Sequence, residues 1–495
     1  MSKYLLAIDQ GTSSSRAVIY DHATSVVASA QQEFAQIYPQ PGWVEHDPEA
    51  IWTSVQAVTE EAMASASASA IDVTAIGITN QRETTLVWDR DTGECVYNAI
   101  VWQDRRTADY CQALKDDGLE ALVAGKTGLR LDPYFSATKI NWILNNVDGV
   151  REHADAGKLL FGTIDSFLLW RLTGGKSHAT DASNASRTLL FNIHTQEWDK
   201  ELLAIFGVPQ QMLPEVEDCA ADFGLATGSC LGGEVPILGM AGDQQAALIG
   251  QAGFSNGMTK STYGTGCFVI ANTGAKALAS ENQLLTTVAM RIGGEVTYGL
   301  EGSVFVAGSA IQWLRDEMNV IESAIETDAI AKRTGIVDDV IVVPAFAGLG
   351  APYWDPDARG AILGLTRGSG REQLVTATLQ SVAYQTCDLI KAMTEDGISP
   401  AVIRVDGGMV ANDWFLQFLA DVLDTPVERP VNVESTVLGA AYLAALAAGV
   451  LPGIEQISDY WQCEARFDPD MSVDRRQQLL ESWRTAVSRI RNDNN

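Results

Sequence analysis

Apolar residues crowd the stretch from Tyr4 to Ile8, give way to polar ones from Asp9, and resume at Ala17 to Tyr20. This pattern reads as a strand, a tight turn and a second strand. The first strand delivers Asp9 to a turn holding Gly11, Thr12, Ser13, Ser14 and Ser15, and Arg16 opens the second. Glu49 to Ala64 has helical apolar spacing, and residues 72–103 return to β character. There the turn Asp89-Arg90-Asp91-Thr92-Gly93 separates two apolar runs, a hairpin signal. The tract from Ser65 to Ala70 alternates serine and alanine and reads as a frayed helix end or loop. Residues 105–175 are mostly helical in period. Val235 to Ala241 reads as a buried strand, and Gly242-Asp243-Gln244-Gln245 starts a helix.

The second half repeats this order: a hairpin at 259–271, strands over 286–301, a helix at 308–319, a strand at 339–344 and a helix at 371–394. Then come a strand at Val402–Val405, the turn Asp406-Gly407-Gly408, and a helix from Asn412. Strands alternating with helices imply α/β layers. Two halves of matching order imply two α/β lobes around a central cleft. The boundary falls just after Asp243, at about 245–255, giving domains 1–248 and 249–495.

Composition narrows the class. A chain of 495 residues with 46% hydrophobic and 20% charged residues buries a sizeable core and divides into domains. Met1-Ser2-Lys3 runs straight into a strand, with no secretory leader, and the longest apolar helical stretch, Gly439 to Leu451, is too short to span a bilayer. Seven dispersed cysteines without a Cys-x-x-Cys pair fit reduced thiols in a cytoplasm. The net charge of −29 opposes nucleic acid and anionic membranes. The same field opposes anionic substrates, so cations must be concentrated locally at any phosphate site. The acid excess fits a salt-tolerant source or an ordinary acidic enzyme.

The first hairpin gathers backbone N–H groups, hydroxyls and one cation where an anion could sit, and Asp9 could hold the Mg²⁺ that accompanies a nucleotide. The plain alternative for Asp9 is a turn acid bonding its own loop. The element is no Walker loop: Gly125-Lys126-Thr127 and Gly175-Lys176-Ser177 have Glu120 and Trp170 where the first glycine belongs. A similar element recurs in the other half, Lys260 to Ile270, around Gly264-Thr265-Gly266. Two facing hairpins that grip a polyphosphate resemble the ATPase superfamily of actin, Hsp70 and sugar kinases, with its ribonuclease-H-like lobes.

Further motifs narrow the resemblance. Asp9 to Arg16, Gly77-Ile78-Thr79-Asn80-Gln81-Arg82-Glu83-Thr84-Thr85, Trp102-Gln103, Asp132-Pro133-Tyr134-Phe135-Ser136 with Lys139 and Trp142, Gly242 to Leu248, and Asp406-Gly407-Gly408 are similar to the glycerol kinases. Gly360 to Leu365, followed by Gln373-Leu374 and Ala377 to Gln380, resembles the second signature of the wider FGGY carbohydrate-kinase family. The resemblance runs from about residue 4 to 450 and implies ATP- and Mg²⁺-dependent phosphorylation of glycerol to sn-glycerol 3-phosphate, in a cytoplasmic homodimer or homotetramer.

The resemblance assigns roles residue by residue. Thr12, Ser13, Ser14 and Arg16 would hold the phosphates, with Thr265 from the other lobe and Asp9 on the metal. Asp243 would take the proton of the attacking hydroxyl; its plain alternative is a helix N-cap. Arg82, Glu83, Tyr134 and Gln244 would bond the hydroxyls, although an Arg-Glu dipeptide after a strand is more often a surface ion pair. Trp102 and Phe268 would enclose the carbon chain, a place where aromatics are otherwise core. Gly308, Gln312, Gly408 and Asn412 would meet adenosine, with Gly407-Gly408 also serving as a tight turn.

Departures from the pattern concern control. Glu234 stands where kinases inhibited by fructose 1,6-bisphosphate carry arginine, and Ser229 where others carry a phosphorylatable histidine. Both controls are therefore expected to be absent, as is binding of a sugar-transport regulator by Phe467 to Asn495. Asp104 adds acid near the pocket. Two other readings stay open: an FGGY kinase for a pentulose or gluconate, and an actin-like or Hsp70-like ATPase.

Overall fold

The computed structural model describes residues 3–491 except 228, 347 and 356, and leaves the side chain of Ser229 aside. The expected first hairpin is β1 (Tyr4–Gln10) with β2 (Ser14–Asp21), followed by β3 (Val26–Glu33). Helix α1 (Pro48–Ser65) is capped by Asp47, whose carboxylate accepts from Glu49 N, and Pro48 occupies the first turn, where no N–H is missed. It leads to β4 (Val73–Asn80). Helix α2 (Ser136–Asn146), β5 (Ala220–Ala226), β6 (Val235–Gly242) and α3 (Asp243–Gly250) complete the first half. The sheet order is β5-β6-β4-β1-β2-β3, with β1, β4 and β6 parallel and the hairpins antiparallel.

The second half contributes β7 (Thr259–Tyr263), β8 (Cys267–Gly274), β9 (Leu285–Ile292), β10 (Glu295–Val304) and α4 (Gly308–Asp316). Helix α5 (Arg371–Glu395), β11 (Ile403–Asp406), α6 (Asp413–Leu423), β12 (Val427–Pro430), α7 (Ser435–Ala447) and β13 (Cys463–Phe467) follow. Their order is β9-β10-β8-β7-β11-β12-β13, again a hairpin whose first strand runs parallel to the next. The two sheets thus share one plan, each with its own core: Leu6, Ile8, Ile76 and Ile78 in the first, Val269, Leu300, Val405 and Leu419 in the second.

Helix α7 holds the halves together. It is apolar around its circumference and packs on α3 as well as on β1, β4 and β6. Gly439 permits this approach, because a Cβ there would stand 1.8 Å from Ala246 O. The apolar stretch singled out in the sequence is therefore an internal strut. Among the described residues no helix is long and apolar enough to cross a membrane.

The hairpin expected around Asp89 forms and takes further partners on both of its edges. The turn at Asp89 closes as predicted, with Asp91 N and Thr92 N donating to Asp89 Oδ1. The returning run bridges Cys95 to Trp88 and Ile100 to Thr85, with Val96 N donating to Val87 O at 2.9 Å and Ile100 N to Thr85 O at 3.0 Å. On its other edge Leu86–Asp89 pairs antiparallel with Leu159–Gly162, and Ala99–Ile100 pairs further with Glu45–His46.

Candidate active site

Pairing in the first hairpin sets Asp9 directly opposite Arg16. Gly11 N donates to Ser14 O at 2.9 Å and closes the turn. At the neighbouring end of β4, Gln81 Nε2 donates to Gln10 Oε1 at 3.0 Å and to Gly11 O at 3.1 Å. This stitch keeps Arg82 beside the hydroxyl-rich turn. Ser13 is exposed, and Ser14 Oγ accepts from Gln31 Nε2 at 3.0 Å. Arg16 is paired with Glu434 and donates to Gln31 Oε1 at 2.7 Å. Burial pushes the Asp9 carboxyl up to about 7, against the pull of Arg16 and with the help of Asp243 and Glu434. A divalent cation there would relieve that penalty, so Asp9 fits Mg²⁺. Among the described residues no group of three or more acids, cysteines or histidines could hold a metal ion.

Arg82 and Glu83 are no surface pair, being 2% and 1% exposed. Glu83 has φ +62°, a sparsely populated conformation for a side chain of this kind, held by Ser136 Oγ and Thr85 Oγ1 donating to Glu83 O. Arg82 donates to Glu301 Oε2 at 2.5 Å and to Glu301 Oε1 at 3.1 Å, and Arg187 bridges Glu83 Oε1 at 2.6 Å and Glu301 Oε1 at 2.9 Å. Two cations and two anions form a buried ring. Burial pushes Glu301 upward, but Arg187 and Arg82 outweigh it and hold the carboxyl at about 2.

Asp243 is the first residue of α3, with Gly242 in the cap position, so it is no N-cap. Its Oδ1 lies 3.1 Å from Arg82 Nε and accepts from Gln244 N at 2.7 Å, while its side chain stays 30% exposed to the cleft. Arg82 is thus the hinge between the ring and this carboxylate. Tyr134 Oη is 3.4 Å from Arg82 Nη2. The loop that carries Tyr134 is fixed by Lys139, whose ammonium donates to the carbonyls of Pro133, Tyr134 and Phe135. Trp102 meets Tyr134 and Phe268 edge-on, with centroids 5.5 and 6.0 Å apart, so the expected flanking of a carbon chain is by perpendicular rather than parallel rings. Its indole N–H donates to Thr12 Oγ1 at 2.9 Å and ties this pocket to the phosphate turn.

The nucleotide side is looser. Gly308 N donates to Gly264 O at 2.9 Å, and a Cβ on Gly308 would stand 2.5 Å from that oxygen, so α4 begins against the second hairpin's turn. Thr265 is exposed at its tip. Gly407, at φ +91°, passes so close to Tyr263 that a Cβ would meet its oxygen at 2.5 Å, whereas Gly408 faces open space. Asn412 caps α6 through Phe415 N and donates to Thr327 Oγ1 at 3.1 Å, which occupies both ends of its amide. Gln312 is exposed on α4, and its side chain makes no hydrogen bond among the described residues.

Sequence reasoning missed Arg187, Glu301, Gln245 and Lys260. Glu301 stands out afterwards as a charge beside Leu300 in the buried end of its strand, a pattern that calls for a buried partner, whereas Lys260 lies in the polar run Thr259-Lys260-Ser261-Thr262 and offers no such signal. Arg187 follows a short helix in a polar run and offers no such signal. Asp104 does not add acid to the pocket: 1% exposed, it accepts from Val44 N at 2.6 Å and from Arg106, whose guanidinium also lies 3.8 Å over Trp43. It clamps the 40s loop to the 100s loop. Glu234 is exposed ahead of β6, while the side chain of Ser229 and residues 492–495 lie outside the described residues.

Comparison with known proteins places this geometry. The model of the N-terminal domain of the FGGY family of carbohydrate kinases matches residues 4–250, and that of the C-terminal domain matches 259–448. Glycerol kinase of Ectopseudomonas mendocina is 61% identical over 494 residues, covering all of both chains. Glycerol kinase 1 of Pseudomonas aeruginosa is 59% identical, again over both entire chains. The crystal structure of Plasmodium falciparum glycerol kinase with ADP superposes with a TM-score of 0.91 at 36% identity, over 99% of this chain and 98% of that one. The expected two-lobed, actin-like fold is therefore present, and the chain belongs to the FGGY family of carbohydrate kinases.

Proposed function

We propose that this chain transfers the terminal phosphoryl group of ATP to glycerol, giving sn-glycerol 3-phosphate and ADP. The observation that carries this reading is the buried Arg82–Glu83–Arg187–Glu301 ring holding Arg82 against the partly buried Asp243. A small neutral triol needs fixed donors and acceptors and brings no charge of its own, which suits a ring that is already internally neutral. Glu83, Tyr134 and Gln244 bond its hydroxyls, and Trp102 and Phe268 flank its carbons. Asp243 accepts the proton of the attacking hydroxyl as the bond to phosphorus forms, with Arg82 Nε keeping the carboxylate oriented. Phosphoryl transfer depends chiefly on such positioning and on charge neutralisation.

Thr12, Ser13, Ser14, Arg16 and Thr265 hold the phosphates, with Mg²⁺ at Asp9 supplying further neutralisation. Gly308, Gln312, Gly408 and Asn412 receive adenosine. On this reading residues 1–248 carry most of the polyol and phosphate contacts and 249–495 the adenosine. A cytoplasmic homodimer or homotetramer, without control by fructose 1,6-bisphosphate or histidine phosphorylation, completes the reading.

The test is ADP release from MgATP with glycerol, dihydroxyacetone, xylulose, ribulose, gluconate or no acceptor. Glycerol is expected to support the fastest turnover. Faster turnover with a pentulose would overturn the pocket assignment, and turnover without acceptor would overturn the kinase reading.

A further inference from the structure

Lys260 lies on β7 of the second lobe and is 1% exposed. Its ammonium donates to Gln244 Oε1 on α3 of the first lobe and, at 2.7 Å, to Thr262 Oγ1. Both acceptors are neutral, although burying an ammonium is costly without charge compensation. The charges that surround it at longer range are Asp406, Asp243 and Glu301, opposed by Arg82, so the site tolerates the cation without committing it to one carboxylate.

The chemistry of the pair fixes a direction. An ammonium has three donors and no acceptor, whereas a carboxamide has one oxygen and one NH₂ group. Lys260 therefore admits one orientation of the Gln244 side chain, oxygen toward the lysine and NH₂ away from it. With no such neighbour the two orientations of an amide differ little. Gln244 directly follows Asp243, and its backbone N–H donates to that carboxylate, so amide and base are adjacent on the first turn of α3. Thr262 leads into the Gly264-Thr265-Gly266 turn.

We infer that Lys260 is a positioning residue: from the second lobe it locks the Gln244 amide so that its NH₂, and not its oxygen, meets a hydroxyl of the substrate. The polyol pocket is then completed by the lobe that carries the nucleotide side, and seating of the second hairpin against α3 couples the two. This inference rests on the glycerol reading above.

Steady-state kinetics of the full chain test it, with Lys260→Met, Gln244→Ala, the double variant and Gln244→Glu. Lys260→Met is expected to raise the KM for glycerol about fivefold to tenfold, the scale of one neutral hydrogen bond, and to leave the KM for ATP within about twofold. The double variant is expected to be no worse than Gln244→Ala, because the lysine acts through the amide. Gln244→Glu keeps an acceptor for Lys260 but has no NH₂, so it is expected to raise the KM for glycerol by a similar factor. An unchanged KM in Gln244→Glu, or effects of the two single variants that multiply in the double, would overturn the inference. Should Lys260→Met fail to fold, Gln244→Glu against Gln244→Ala decides alone. Absence of glycerol turnover in the unmodified protein is a separate outcome that sinks the underlying reading as well.

Discussion

Arg82, Glu83, Arg187 and Glu301 are each at most 2% exposed and bonded to one another, whereas Arg16 is 26% exposed and paired with Glu434, itself 53% exposed. The two sides of the cleft thus handle charge in opposite ways. On the polyol side the charges are compensated before any ligand arrives, and their geometry is rigid because each one's departure would strand its partners. On the nucleotide side the cation is held by a solvated carboxylate, a contact worth about 1 kcal/mol or less. A neutral substrate requires the first arrangement and a polyanion the second, since a phosphate can displace a weakly held carboxylate but glycerol could not reorganise a buried ring.

The sharpest way to break this comparison is at the carboxylate where the two sides meet. Asp243→Asn keeps a hydrogen-bonding side chain on α3 but cannot take a proton. The expected result is a fall in kcat of about 10²- to 10⁴-fold, the usual contribution of a general base, with the melting temperature and ATP binding nearly unchanged. Near-normal turnover would show that Asp243 only orients Arg82.

Glu301→Gln attacks the rigid side from within. Removing this anion leaves Arg82 and Arg187 buried around a neutral amide, and losing one partner of a buried ion pair typically costs about 3–5 kcal/mol. Denaturant unfolding is expected to show that loss, accompanied by weaker glycerol binding as Arg82 swings from its place. A loss no larger than that of a surface substitution would mean that the ring is not compensated in the way its distances indicate.

Asp9 offers a pH test of the solvated side. Its carboxyl is raised to about 7 in the fold, above the ordinary value of 3.8, chiefly by burial. Protonation therefore favours the metal-free fold: this contribution is complete below about pH 4 and is lost as pH rises through 7. Mg²⁺ requires the ionised form, so the half-saturating Mg²⁺ concentration is expected to rise by about tenfold per pH unit below 7 and to level off above it. The same titration with Asp9→Asn isolates the part due to ATP's own protonation. Identical profiles in the two proteins would remove Asp9 from the metal.

Legibility in the sequence followed the same division. The two hairpins, α3 and the β11-to-α6 turn were readable because polar turn residues interrupt short apolar runs, and such punctuation is local. Arg82, Glu83 and Asp243 were readable only as a motif; by local rules Asp243 was a cap and Arg82-Glu83 a surface pair. What overturned those local rules was partners 219 and 104 positions away, Glu301 for Arg82 and Arg187 for Glu83. Nothing in the chain's period announces a charge ring closed across three segments. The hairpin around Asp89 was readable from its turn, but nothing local announced that Leu86–Asp89 would also take Leu159–Gly162 on its other edge.

The smallest expected effect bears on the solvated side. Glu434 sits just ahead of α7, on the strut that joins the lobes, and its carboxylate pairs with Arg16 while raising the proton affinity of Asp9. Both actions oppose a nucleotide: the pair occupies the cation, and the negative charge repels phosphate. Glu434→Gln keeps the shape and removes the charge. Given the weak coupling of exposed pairs, the KM for ATP is expected to fall by about twofold to fivefold, with the KM for glycerol unchanged. The difference between variant and parent should shrink as salt is raised from 0.05 to about 0.5 M, because screening weakens the repulsion that Glu434 exerts. A rise in the KM for ATP would reverse the assignment, making Glu434 the group that holds Arg16 ready for the phosphates, and the nucleotide side would then be as preformed as the polyol side.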